Sequence, residues 1–117
     1  MWIFTKRGFV SIIASENSPT FFTVQSHFPG HIEALFPSAH VSEAPHGYGI
    51  YRFRAAVPKH TVAEMLFDIV EHIDYFTFKD SIPDERYRKA VIDAWTTLNK
   101  HDFGPRKPPH DSEEFMP

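Results

Sequence analysis

The sequence predicts an α+β fold: an antiparallel or mixed sheet of about five strands with helices on one face, in the order β-β-β-α-β-β-α-α. Three observations predict it. Strand-like runs cluster in the first half of the chain and are joined by turn residues rather than crossover helices, so neighbours pair mainly antiparallel. The run from Tyr48 to Val57 alternates with period two. Two later runs, from Lys59 to His72 and from Pro83 onward, repeat apolar residues at helical spacing.

Trp2-Ile3-Phe4-Thr5 and Phe9 to Ala14 are rich in aromatic and β-branched residues and flank Lys6-Arg7-Gly8, where glycine suits a tight turn with positive φ. A β-hairpin is expected. Glu16 to Thr20 is turn chemistry, and Phe21 to His27 resumes alternation as a third strand with Phe22, Val24 and Ser26 on one side. Pro29-Gly30 ends it. His31 to Phe36 forms a short helix with Ile32, Leu35 and Phe36 as its stripe, closed by Pro37.

Val41 to Ala44 and Tyr48 to Val57 flank Pro45-His46-Gly47 as a second hairpin. In its long arm Tyr51, Phe53, Ala55 and Val57 share one face, while Ile50, Arg52 and Arg54 share the other, as in a sheet with one solvated side. Pro58 suits the first turn of a helix over Lys59–His72, with Val62, Leu66, Ile69, Val70 and Ile73 as its stripe. Tyr75 to Phe78 packs a connection onto the core. The last helix starts near Pro83-Asp84-Glu85, acids at its positive end, with Tyr87, Val91, Trp95 and Leu98 on one stripe. Ferredoxin-like variants are the nearest common architecture for this order.

The chain divides into one globular domain over residues 1–101 and a flexible, proline-rich, charged tail over 102–117. Its 117 residues, 42% hydrophobic with 12 phenylalanines, suffice for one core without a metal or disulfide. The absence of cysteine excludes disulfides, a thiolate nucleophile and thiolate metal sites. The N-terminus runs from apolar to basic, the reverse of a secretory signal, and no apolar run approaches ~18 residues. A cytoplasmic protein without membrane contact is expected. A net charge of −3 supplies no global field for duplex nucleic acid.

Met1-Trp2-Ile3-Phe4-Thr5-Lys6 with Gly8-Phe9-Val10-Ser11, then Tyr51-Arg52-Phe53-Arg54, Asp74-Tyr75-Phe76-Thr77-Phe78-Lys79 and Ala94-Trp95, resembles a family of small bacterial and bacteriophage proteins. The family's marks are an M-W-x-F start, a Y-x-[FY]-R strand and a Y-x-x-F-K segment. The resemblance implies no reaction; it implies an accessory or anti-defence role.

Four cations form the candidate binding set. Arg52 and Arg54 alternate outward on the long strand, and Lys6 and Arg7 occupy the first turn; arginines and aromatics on a sheet suit single-stranded nucleic acid. An ordinary solvated strand face balanced by Glu16, Glu33 or Glu43 is the plainer reading of the same pattern. His27 and His31 flank Phe28-Pro29-Gly30, and with Glu33 they are the candidate metal ligands. His72 suits a helix C-cap. Serine nucleophiles lack a glycine-flanked elbow, carboxylate pairs sit on solvent faces of helices, and phosphate-binding glycine loops are absent. Trp2, Trp95, Phe76 and Phe78 are counted as core.

The leading expectation is therefore a non-catalytic binding or accessory module acting through macromolecular contacts, with an unidentified protein partner and no cofactor. Single-stranded nucleic-acid binding through Arg52 and Arg54, and a small metal-dependent hydrolase using His27, His31 and Glu33, are the alternatives. A homodimer through Phe21 to His27 as an edge strand is a further one.

Overall fold

The structure, a computed structural model, describes residues 1–44 and 51–101. Its sheet contains β1 (Trp2–Thr5), β2 (Gly8–Ala14), β3 (Phe21–Ser26), β4 (Ser42–Glu43) and β5 (Phe53–Pro58). Their spatial order is β1-β2-β3-β5-β4, with every neighbouring pair antiparallel. Helices α1 (His31–Leu35), α2 (Lys59–Glu71) and α3 (Glu85–Lys100) and a 3-10 turn at Lys79–Ser81 complete the described elements. The chain is thus α+β. Because β3 and β4 both oppose β5, which lies between them, they run parallel to each other, and α1 bridges a split β-α-β connection of the ferredoxin-like kind. Pro45 to Ile50, including the expected second turn, and the tail at 102–117 lie outside the described residues.

Thr5 opposes Gly8, which leaves Lys6-Arg7 as a two-residue turn. Thr5 Oγ1 accepts from the Arg7 and Gly8 N–H groups, each at 3.1 Å, and donates to the Gly8 carbonyl at 2.9 Å. This side chain closes the turn without a left-handed residue. The positive φ expected of Gly8 is not used: Gly30, at 84°, is the one described residue with positive φ. Gly8 is required for a different reason, since a Cβ there would stand 2.8 Å from His31 Cγ.

Alternation assigns the two sheet faces. Val10, Ile12, Val24, Ala55 and Val57 point inward and bury themselves against Ile32, Leu35 and Phe36 around α1 and Val62 and Met65 of α2. At one end of the sheet a second cluster joins Phe9, Ile82, Tyr87 and Val91, with Phe28, Tyr51 and Phe78 packed on it. Asp84 caps α3, its carboxylate accepting from Arg86 N–H at 2.9 Å and Tyr87 N–H at 3.2 Å. His72 closes α2, its ring nitrogen 2.8 Å from the Asp68 carbonyl.

Several expectations change. β3 is paired on both sides, by β2 and β5, so Phe21 to His27 offers no edge for dimerisation; β1 and β4 are the edges. The long arm of the second hairpin begins at Phe53, and Tyr51 leaves the inward face because it precedes the strand. On α2, Val70 is exposed because it sits about 100° around the helix from half-buried Ile69. Ile73 is exposed because it follows the helix end at Glu71. Three aromatics counted as core are open to solvent: Trp2 at 69%, Trp95 at 53% and Phe76 at 105% exposure. Trp2 belongs to the sheet face opposite α1 and α2. Trp95 lies in the second half of α3, beyond the buried pair Tyr87 and Val91, and carries the Lys79 ammonium 4.5 Å over its ring. Among the described residues no helix is long and apolar enough to cross a membrane.

Candidate functional site

α1 and α2 pack on one side of the sheet, as their buried residues show. On the opposite strand face Phe9 and Ser11 are buried, Phe9 in the cluster with Ile82, Tyr87 and Val91, while Trp2, Phe4, Ile13 and Arg54 are exposed. The register fixes which side chains share that face. Trp2 opposes Ser11, Ser11 opposes Gln25, Gln25 opposes Arg54 and Arg54 opposes Ser42, so one rung crosses all five strands. Beside it lie Phe4 with Phe9 on one flank and Ile13, Thr23 and Ala56 on the other. Among the described residues no strand residue of this face is acidic.

Phe9 is the hub of the face. Its ring is buried, with Phe4 at 4.7 Å, Trp2 edge-on at 6.3 Å, His27 at 6.2 Å and Tyr51 at 6.4 Å, while His27 and Tyr51 contact each other at 4.5 Å. Trp2 and Phe4 stand exposed beside it, and Ile13 is exposed on the other flank of the rung. An aromatic ring held on a buried ring loses little rotamer freedom when a partner covers it, which favours binding.

The backbone beneath Phe9 is held by two buried side chains where β2 and β3 part. Ser26 Oγ donates to the Phe9 carbonyl at 2.6 Å, and His31 Nδ1 accepts from the Phe9 N–H at 3.0 Å. Nδ1 is therefore unprotonated and the ring carries its hydrogen on Nε2. Burial pushes the His31 imidazole below its ordinary range, opposed in part by the Asp84 carboxylate. Unfolded chains take up that proton near pH ~6.5, whereas the folded chain resists it until lower pH. Stability is thus at its plateau above about pH 6.5 and falls as pH drops toward the folded value of His31. Urea midpoints measured from pH 7.5 downward are expected to fall through this window. His31→Asn, whose amide oxygen can replace Nδ1 as acceptor, is expected to flatten that fall; an unchanged slope would remove His31 as its cause.

The four candidate cations do not form one patch. Arg54 lies on the open face and has no ion pair among the described residues. Arg52 is held by Glu43 at 2.8 Å and lies 5.2 Å over the Phe53 ring. Lys6 pairs with Asp74 at 3.1 Å, and Arg7 is exposed in the turn on the far side of β2 and β3 from β5. The candidate metal ligands are likewise dispersed in role. His27 meets Tyr51 at the surface with the rings tilted, His31 is buried with Nδ1 engaged by Phe9, and Glu33 is exposed on α1. Among the described residues no group of three or more His, Cys, Asp or Glu is placed to hold a metal ion.

Sequence reasoning missed Trp2, Phe4 and Ile13 as surface residues. Both faces of β1 and β2 are apolar, so alternation carries no polarity contrast there. The usable signal was the register: a two-residue turn at Lys6-Arg7 sets Trp2 opposite Ser11, on the face that Arg54 marks as solvated. No family model, no curated protein and no solved structure matches the chain.

Proposed function

We propose that this protein is a non-catalytic binding module whose open sheet face receives a protein partner. One observation carries the reading: the sheet face opposite α1 and α2 exposes Trp2, Phe4, Ile13 and Arg54, with Trp2 and Phe4 set against buried Phe9, and bears no acidic strand residue among the described residues. Aromatics and arginine with few carboxylates or lysines are the composition of protein-interface centres. The partner surface that fits is apolar, with a carboxylate opposite Arg54.

Magnitudes favour protein over single-stranded nucleic acid. Each neutralised phosphate contributes about 0.7 to the salt slope of single-strand binding, and tight sites use several. Among the described residues this face offers one arginine without an ion pair, in a chain of net charge −3. Aromatic stacking without a run of cations leaves a weak nucleic-acid site, whereas a protein interface needs no such run.

The test uses tagged full-length protein in nuclease-treated lysate of its own host, beside the double variant Trp2→Ala, Arg54→Glu. Wild type is expected to retain a protein that the double variant loses by about 30-fold or more, the scale of a central interface residue. Equal retention by both forms would overturn the assignment of this face. Capture that nuclease abolishes would replace the protein partner by nucleic acid.

A further inference from the structure

A second docking feature lies at the main-chain edge of β5 and rests on backbone groups rather than on Trp2, Phe4 or Arg54. β4 covers only part of β5. The register that sets Ser42 opposite Arg54 and Glu43 opposite Phe53 would, if continued, set His40 opposite Ala56, but His40 lies outside the strand. Among the described residues no strand therefore pairs with Ala55–Pro58 on that side.

Main-chain directions alternate along β5. Ala44 N–H donates to the Arg52 carbonyl at 2.7 Å and Ser42 Oγ to the Arg54 carbonyl at 3.4 Å, so these residues face the β4 side. Lys59 N–H turns the other way, donating to Thr20 across β3 at 3.0 Å. By this period Ala56 directs its N–H and carbonyl toward the β4 side, where neither has a partner among the described residues. An unpaired strand edge is a template for another strand.

The edge opens into a groove of about 1080 Å³, lined by Leu35, Phe36, Val57 and Met65 and bordered by Glu64 and Asp68 one turn apart on α2. Glu64 has no ion pair among the described residues, and Asp68 meets only the His72 ring. Among the described residues His40 is the one basic side chain lining the groove. Apolar walls, an acidic rim and a free strand edge together specify an occupant.

We propose that the β5 edge takes up an extended segment of a partner protein, with alternating apolar side chains and a flanking lysine or arginine, added as a short strand against Ala56. Main-chain bonds to Ala56 supply the alignment, alternate apolar side chains enter between Leu35 and Met65, and the cation meets Glu64 and Asp68.

The probe is the capped hexapeptide Lys-Leu-Thr-Val-Thr-Lys, titrated into the nitrogen-15-labelled full chain to about 1 mM, the weak end of specific recognition. Saturable shifts of the Ala56 and Val57 amides are expected. Methylation of both threonine nitrogens, and separately glutamate in place of both lysines, should each weaken binding about tenfold. The Glu64→Gln, Asp68→Asn double variant should weaken the lysine peptide similarly, and both positions are exposed, so the fold is retained. Absence of a saturable Ala56 shift overturns the proposal, as do shifts confined to Trp2 and Arg54. Protection of Ala56 by dimerisation, read by light scattering, would make a second copy the occupant. Binding gained only when residues 102–117 are removed would make that segment the occupant. Either result also overturns the proposal as stated.

Discussion

A chain carrying Tyr87→Ala is expected to lose about 4 kcal/mol of unfolding free energy, and Tyr87→Phe about 1 to 2 kcal/mol. Tyr87 is buried at 1% exposure and joins α3 to the end of the sheet. Its hydroxyl donates to the Thr5 carbonyl at 2.7 Å, and its ring meets His31 edge-on at 4.6 Å and Phe28 at 5.8 Å. Alanine removes the ring and opens a cavity among Phe9, Ile82 and Val91. Phenylalanine removes only the hydroxyl and leaves the Thr5 carbonyl without that donor. Burial also pushes the phenol far above its ordinary range, against the opposing Thr5 hydrogen bond. Its contribution is therefore complete below about pH 10, where unfolded tyrosine ionises, and declines as pH rises beyond it. Urea titrations followed by circular dichroism measure both variants; equal losses would show that the ring contributes nothing beyond the hydroxyl.

Ile32→Ala is expected to cost about 3 kcal/mol. Ile32 is fully buried on α1, in the cluster that contains Val10, Val24, Leu35 and Phe36. A helix of five residues has little stability of its own, so its position depends on this anchor. α1 also delivers His31 to Phe9, which links the core substitution to the open face. Hydrogen exchange at the Phe9 amide should therefore accelerate in Ile32→Ala more than exchange at Val24, which is bracketed by β2 and β5. Equal acceleration at both amides would mean that α1 does not separately hold Phe9.

The α+β class, the three helices and the inward faces of β3 and β5 were legible because polarity alternates there. Phe22, Val24 and Ser26 differ from Thr23 and Gln25, and Phe53, Ala55 and Val57 differ from Arg52 and Arg54. β1 and β2 gave no such contrast, and composition alone placed Trp2 in the core. Helical spacing on α3 was read correctly for Tyr87 and Val91, but spacing does not show where packing ends along a helix, so Trp95 and Leu98 were carried inward. The edge position given to β3 failed because sheet order depends on the return of β5 across the split connection, a non-local pairing without a local mark.

The candidate site was legible only as Arg54. Its aromatic members became visible once the rung Trp2–Ser11–Gln25–Arg54 was established by pairing. Gly8 is a comparable case: the residue type was noticed, but the contact that demands it, His31 Cγ, lies on a different element.

The most direct test of the sheet-face reading uses Trp2 itself. With Trp95→Phe, Trp2 is the sole tryptophan, exposed at 69% and edge-on to Phe9. Titration with the purified partner retained by wild type should shift its emission saturably to the blue as the indole leaves water, and Arg54→Glu should move the midpoint upward. Binding confirmed by calorimetry with Trp2 emission unchanged would place the partner elsewhere and contradict the account.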